Sequence, residues 1–595
     1  MSIIPRLNIG KGAWIPGLPA LLTILVIACG GPAATVAPPA AATPSPAATA
    51  VATADPTPTL GFVSTPTPGA MVATATPRPT PTPGVVASAR DSITVVAGEE
   101  PTALGSFSTG CSGNVPSMVC EEIATDPLTW IDSSTFEVVP LSGVESWSQE
   151  APDRWRFRLK EGVTFHNGEP WDAAAAKVGI DWHGDSATAG HSTGSYGFHG
   201  DISGEVVDDL TVDVVCGLNC PILPRTTIFL KFQAPEWWAS ASDDDKENLT
   251  VGLGPYQIVE WRRGIEVELE AFEDYQPNAS YDSQAPSIQH ARQVWRGEAL
   301  VRASMVAAGE ADLAFEIGFA NRDSVPRFLT GTNSEVVMLV ADNIWHPELK
   351  KKAVREALAL AIDCEGLMES IYDGFQACFG TISQRGTVGV NETNSAPYPY
   401  DPARARQLLA EASYDPANEV IIYDREGRFY NSTELWEAVV GQWQEVGVNA
   451  SLQITENSKH QDIRRSGCGH FEDRNCVNEA PPPPFGATSH YYSTPSSNES
   501  LDMQRQLLLR NSCGNVNSRV CDLVPGFEDR LQEAIQEPLG PERTRKLEEL
   551  TTIIHDEYWF IPMFEVVTAY GLVDDLEWTP RYDPRTRINT MHFSQ

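Results

Sequence analysis

The chain has 595 residues, with 79 Asp and Glu against 42 Lys and Arg, giving a formal charge of −37. An acidic excess of this size argues against nucleic acid or an anionic membrane surface as partners. It does not identify a ligand, because acidic surfaces commonly serve solubility alone.

Arg6 and Lys11 form a short basic stretch, followed by an uncharged apolar run from Ala13 to Ala28. A basic start, a short apolar run and a small residue before the cut describe a secretory signal over residues 1–28. Pro16 and Pro19 interrupt the run, which is short for a membrane span. Its end, Val26-Ile27-Ala28-Cys29, resembles the bacterial lipobox, in which the cysteine is lipidated and becomes the mature N-terminus. An ordinary signal that happens to carry a cysteine is the alternative.

Residues 29–90 are dominated by Pro, Thr and Ala, and before Arg90 only Asp55 and Arg78 are charged. Such a stretch has too few large apolar side chains to bury a core, so the sequence predicts a disordered tether. Runs such as Thr65-Pro66-Thr67-Pro68 and Thr80-Pro81-Thr82-Pro83 favour extended polyproline II, and a glycosylated stalk is compatible with them. The folded part starts near Asp91, and roughly 500 residues exceed what one core holds, so two lobes or more are expected.

Of 11 cysteines, Cys29 stands apart and the others fall into close pairs along the chain. These are Cys111/Cys120, Cys216/Cys220, Cys364/Cys378, Cys468/Cys476 and Cys513/Cys521. An even number in an exported chain points to disulfides, with sequential pairing the simplest assignment. A metal reading competes, because His460, Cys468, His470, Cys476 and His490 are neighbours in sequence. Their spacing matches no Cys-x-x-Cys framework, and an oxidising compartment pairs thiols first. No metal or other cofactor is therefore expected.

Trp155, Phe157 and Leu159 alternate with Arg154, Arg156, Arg158 and Lys160, the pattern of a strand with one buried face. Ile265, Val267 and Leu269 alternate with Glu266, Glu268 and Glu270 in the same way. Asp401-Pro402 reads as an N-cap and first helical residue, opening a helix through Leu408 and Leu409. Leu435, Val439, Trp443 and Val446 keep helical spacing up to Gly447, and then Val448, Ala450, Leu452 and Ile454 alternate as a strand. Together these units predict a mixed α/β fold without internal repeats.

Four segments now carry a resemblance. They are Arg156 to Gly168, Gly252-Leu253-Gly254-Pro255-Tyr256 with Trp261 and Gly264, Val354 to Leu358 with Ala361-Ile362-Asp363 and Gly374, and Tyr400-Asp401-Pro402 through Leu409. In this order they resemble the bacterial extracellular solute-binding proteins of the peptide/nickel-binding family, family 5 of the ABC-importer class. The glycines read as turn and close-approach residues, and Val354, Leu358 and Ile362 as a buried helix stripe, so the motifs mark the family without touching ligand.

The resemblance implies a large two-lobed α/β fold of the periplasmic-binding-protein type, with an extra subdomain in lobe I. Residues 91–335 and 562–595 would form lobe I, and 336–561 lobe II, closing by a hinge around the ligand. It further implies a monomeric, lipid-anchored protein on the outer face of the cytoplasmic membrane. That protein would capture a small molecule or peptide and deliver it to ABC permease subunits.

Peptide-binding members carry an Asp-Pro-Asp-like segment after Gly-Trp that meets the peptide amine. This sequence instead has Asn478-Glu479-Ala480, Pro481 to Pro484, Phe485, Gly486 and Tyr491-Tyr492, so Glu479 is the candidate replacement charge. Phe485, Tyr491 and Tyr492, with Phe107 and Trp345, are candidate ligand contacts, because aromatic side chains beside few polar groups suit a concave site. Packing of the loop is the competing role for the two tyrosines. Gly190-His191-Ser192-Thr193-Gly194 matches Gly-x-Ser-x-Gly, which keeps a secreted serine hydrolase using Ser192 as an alternative. A polar loop precedes it, whereas that chemistry needs a buried strand. A metal or metallophore binder is the other alternative.

Overall fold

The computed structural model describes residues 90–594 except 106, 108–122, 142, 186–201, 426, 469–475, 477–489 and 522. Cys29, Cys111, Cys120, Ser192, His470, Glu479 and Phe485 lie outside the described residues, as does the expected tether before Arg90.

Two long antiparallel strands, Arg327–Ala341 and Phe560–Leu572, form the middle of an 11-stranded sheet. Beyond the first lie Tyr491–Ser497, Val420–Arg425 and the edge strand Ala450–Thr455. Beyond the second lie Leu313–Ala314, Ser92–Ala97, His290–Trp295, Glu266–Ala271 and Tyr256–Arg262. The long strands pair with each other in both halves, through Arg327–Leu572 at one end and Val340–Phe560 at the other. They are the shared spine of two half-sheets.

Burial periodicity explains the elements. In the strand Arg154–Leu159, Trp155, Phe157 and Leu159 are buried while the arginines point outward, as the alternation predicts. It joins Val144–Ala151, Thr211–Cys216 and Ile202–Asp208 in a separate four-stranded sheet covered by the helix Ala173–Gly184. That layer stands apart from the 11-stranded sheet. Gly252 and Gly254 pass so close to the backbone of Ile123 and Ala124 that an added Cβ would lie 2.1 Å from the carbonyl oxygens of Ala124 and Ile123 respectively. Any side chain there would part the two segments.

On the other half-sheet, the Asp401 carboxylate caps the helix Pro402–Glu411 by accepting from the Arg404 N–H at 2.8 Å. The helix Ser432–Glu445 buries Leu435, Trp436, Val439 and Trp443, and Gly447 follows with φ +97°. Val354, Leu358 and Ile362 are buried as expected. Helices Phe527–Gln536 and Pro541–Asp556 cover the opposite face.

Two alternation readings need correction. Ile265 is exposed, because it sits in the turn after Gly264, where its N–H donates to the Arg262 carbonyl, and the strand starts at Glu266. Glu266 takes the buried place beside Arg262 and Arg292. Ile454 is also exposed, because Ala450–Thr455 is the edge strand and its far end lacks cover.

After Leu572 the tail returns to the first half-sheet. Leu576, Trp578, Ile588, Met591 and Phe593 pack against Ile93, Val95 and Leu269. Arg587 pairs with Asp126 at 2.9 Å, both side chains fully buried, and Arg581 pairs with Asp282 at 2.5 Å. The pair is stable because each charge is neutralised where water cannot reach it; removing one partner strands the other. Arg587→Met should cost about 3–5 kcal/mol in denaturant unfolding. The double variant with Asp126→Asn should recover most of that loss; equal losses in both would show that the pairing is not the cause.

Buried histidines give a second expectation. His183 accepts a hydrogen bond from the Lys231 N–H at 2.9 Å, and burial pushes its imidazole down to about 3. The unfolded chain takes up that proton near the ordinary value of about 6.5. Its contribution is therefore complete above that pH and falls as pH drops, by up to ~1.4 kcal/mol per pH unit. Unfolding curves of parent and His183→Gln should converge between pH 6.5 and 4, the parent losing more. Parallel curves over that window would contradict the assignment.

Candidate functional site

The spine shifts register twice, once between Val337 and Met338, where Met563 is skipped on the facing strand, and more widely between Thr332 and Val336. Thr332 pairs with Val567 and Val336 with Glu565, so Asn333, Ser334 and Glu335 stand opposite Val566 alone. Ser334 takes a left-handed φ of +58° to accommodate the extra residues. A bulge of this kind bends a strand and re-aims its side chains. Here it turns Asn333 and Glu335 into a cavity of about 390 Å³. The Glu335 carboxylate accepts from Asn333 Nδ2 at 3.2 Å and from Arg428 at 2.7 Å.

Both halves of the sheet contribute to this cavity. Glu99, Glu316 and Phe319 enter from the first half, and Tyr372, Gln376, Arg425, Arg428 and Tyr430 from the second. Val566 to Ala569 of the second spine strand close the floor. An adjoining groove shares Glu99 and Arg425 and runs on to Glu456 and Asn457.

One wall is aromatic and joins the two halves. Phe319 stacks on Phe375 with centroids 4.6 Å apart and rings 4° from parallel, and Tyr430 meets Phe319 edge-on at 6.0 Å. Gly318, at φ +72°, leaves room for Tyr430; an added Cβ would approach its ring to 2.6 Å. Arg322 and Asp373 form an ion pair across the same seam at 2.9 Å. Gln376 locks the wall to the spine, donating to the Val567 carbonyl at 3.1 Å and accepting from its N–H at 2.9 Å. The Tyr372 hydroxyl is buried there without a hydrogen-bond partner.

The polar wall carries both signs of charge. Arg302 donates to the carbonyls of Phe315, Arg296, Gly297 and Glu316 at 2.5–2.8 Å, fixing the backbone beneath Glu316. Burial pushes the Glu316 carboxyl above its ordinary value; Arg302 and Arg428 oppose the shift, and Glu335 and Glu99 add to it. The side chain keeps exposed surface toward the cleft while protein encloses it, and the enclosure sets the direction. Burial, and then neighbouring Arg428, lower Arg425. The described lining residues offer carboxylates, guanidinium groups, amides and aromatic faces, groups suited to recognising a solute.

The aromatic candidates from the sequence lie elsewhere. Phe107 is buried, stacked 4.0 Å from Trp182 and edge-on to His183 and Trp238. Trp345 packs against the cluster of Ile344 and the Cys468, Cys476, Cys513 and Cys521 sulfurs. Tyr491 and Tyr492 are buried in the strand Tyr491–Ser497, Tyr491 against Trp443 and Tyr492 accepting from Arg510 at 3.1 Å. None of these four lines the cavity.

The structure pairs Cys216 with Cys220, Cys364 with Cys378, Cys468 with Cys476, and Cys513 with Cys521, in the sequential pattern expected. His490 accepts from the Ile421 N–H at 3.1 Å. Among the described residues no group of three or more His, Cys, Asp or Glu could hold a metal ion. Sequence reasoning missed Glu316, Glu335 and Arg428. A signal existed in the single glutamate within Leu313-Ala314-Phe315-Glu316-Ile317 and in Glu335 heading the apolar run Val336 to Ala341.

Comparison with known proteins fits this geometry. The family model described as bacterial extracellular solute-binding proteins, family 5 Middle, matches residues 138–498. The glutathione-binding protein GsiB of Salmonella paratyphi A is 28% identical over 274 residues, covering 44% of this chain and 50% of that protein. GsiB of Escherichia coli K12 is 28% identical over 275 residues with the same coverage. The chain thus spans about half the length of the curated relatives it matches.

Among solved structures, the ABC transporter substrate binding protein CtaP of Listeria monocytogenes has a TM-score of 0.70 at 18% identity, covering 85% of this chain and 100% of that one. Haemophilus influenzae OppA in complex with RPPGFSPFR has a TM-score of 0.66 at 16% identity, covering 85% and 99%. These likenesses establish the two-lobed binding-protein fold. With the family model covering more than half of its residues, the chain belongs to the bacterial extracellular solute-binding proteins, family 5.

Proposed function

We propose that this chain is the extracytoplasmic solute-binding component of an ABC importer, capturing a small solute between two lobes for delivery to permease subunits. The observation that carries the reading is the cavity of about 390 Å³ at the bulge of the shared spine, lined from both half-sheets. Its volume, aromatic wall and few convergent charged groups suit a small ligand. Lobe I corresponds to 91–335 with 562–595 and lobe II to 336–561, hinged where the ladder is interrupted at Thr332–Val336. Family membership supports this reading over a hydrolase built on Ser192. The Cys468–Cys476 pairing supports it over a metal binder that uses those thiols.

Purified protein freed of ligand by unfolding and refolding should be stabilised by one class among peptides including glutathione, sugars, metal chelates and polyamines. The shift should rise with concentration as mass action requires, with no turnover of the solute. Phe319→Ala should then weaken binding about tenfold or more through lost stacking and apolar contact. A chain that responds to none of these solutes, or whose affinity survives Phe319→Ala, would defeat the assignment. Glu479→Ala tests separately whether the loop after Cys476 adds a charge to the ligand.

We further propose that the mature protein is a monomer held at the outer face of the cytoplasmic membrane by lipid on Cys29, with its close cysteine pairs oxidised. The apolar run ending at Ala28 and the four observed pairs support this. Mass mapping without reductant should find a lipid-modified N-terminus at Cys29 and a peptide joining Cys468 to Cys476. Cys29→Ala should release the protein from membranes. Unmodified Cys29 with full membrane retention of the variant, or free thiols at both positions, would contradict it.

A further inference from the structure

Glu316 follows the strand Leu313–Ala314 in a left-handed backbone conformation, φ +51°, that glutamate rarely adopts. Its neighbours hold it there: Phe315 and Ile317 are buried, Arg302 grips the Phe315 and Glu316 carbonyls, and the Ile317 N–H donates to the Ala569 carbonyl at 3.1 Å. The result turns the carboxylate out of the sheet and into the cleft. Among the described residues no hydrogen bond or ion pair engages that carboxylate. The nearby arginines have other partners: Arg302 donates to four carbonyls, Arg428 pairs with Glu335, and Arg425 donates to Asn457 at 3.0 Å.

The Glu316 carboxylate is exposed to the cleft and open to a solute, and strained backbone at a cleft is retained where a site uses it. The aromatic wall adds an independent observation. Phe319 and Tyr430 line the same cavity, and aromatic faces attract a cation.

We propose that Glu316 receives a cationic group of the bound solute, a primary ammonium or a guanidinium, and thereby makes the site select charged solutes over neutral analogues of the same shape. This rests on the solute-binding reading and names its ligand chemistry. Arg428 and Arg425, on the second half of the cleft, leave room for an anionic group at the other end of the same molecule.

The test uses the full chain, refolded free of ligand, with two matched probe pairs: Ala-Phe-Ala against N-acetyl-Ala-Phe-Ala, and putrescine against 1,4-butanediol. The parent should prefer the charged member of a pair by about tenfold or more, and Glu316→Gln should reduce that preference to about threefold or less. Glu316→Asp should keep part of it. A variant that discriminates as the parent does would make Glu316 a structural residue and overturn the inference. A parent that binds neutral solutes and neither charged probe would overturn it while leaving solute binding intact. A parent that binds no solute of any class would fail the solute-binding reading itself, and the inference with it.

Discussion

The cleft of this molecule is built on a failure of hydrogen-bond register between its two longest strands. Antiparallel strands of 15 and 13 residues would ordinarily zip into a continuous ladder, because every buried N–H and carbonyl needs a partner. Three residues opposite one, Asn333 to Glu335 against Val566, make the wider of the two breaks in that ladder. The break makes a bend possible without unpairing either half-sheet. It also sends two polar side chains into the space that the bend opens. Without the bulge, Glu335 would fall in step with the apolar run that follows it, and its pair with Arg428 from the second half could not form.

The molecule places charge in two different ways. At the C-terminal tail, Arg581 and Arg587 are fully buried against Asp282 and Asp126, and Trp130 lies beneath both guanidinium groups. Such pairs fix where the tail docks, because a mispaired tail would bury an uncompensated charge. In the cleft Glu335 is paired with Arg428 and Arg425 bonds Asn457, while Glu316, exposed to the cleft, has no hydrogen bond or ion pair among the described residues.

The local part of the fold was legible in the sequence. Period-two alternation located the strand at Arg154–Leu159, the Asp401-Pro402 pair located a helix start, and Gly252 and Gly254 marked a close approach that the structure confirms. Alternation failed at Ile265 and Ile454, where a turn and a sheet edge replaced burial with exposure. The site was less legible for a physical reason. Glu99, Glu316, Glu335 and Arg428 are brought together by sheet topology, and no local pattern reports that convergence. Aromatic residues beside a polar loop, such as Tyr491 and Tyr492, look like ligand contacts in one dimension. In three dimensions their ring positions are decided by the strand that carries them into the core.

The central claim is that solute is held at the interrupted spine, in contact with both half-sheets. A crystal structure of the chain purified from its native host with its solute retained tests this most directly. The account predicts ordered ligand density in the cleft, touching Glu335 or Arg428 on one side and Glu316 or Phe319 on the other. Ligand density away from the spine, or in contact with one half-sheet alone, would contradict it.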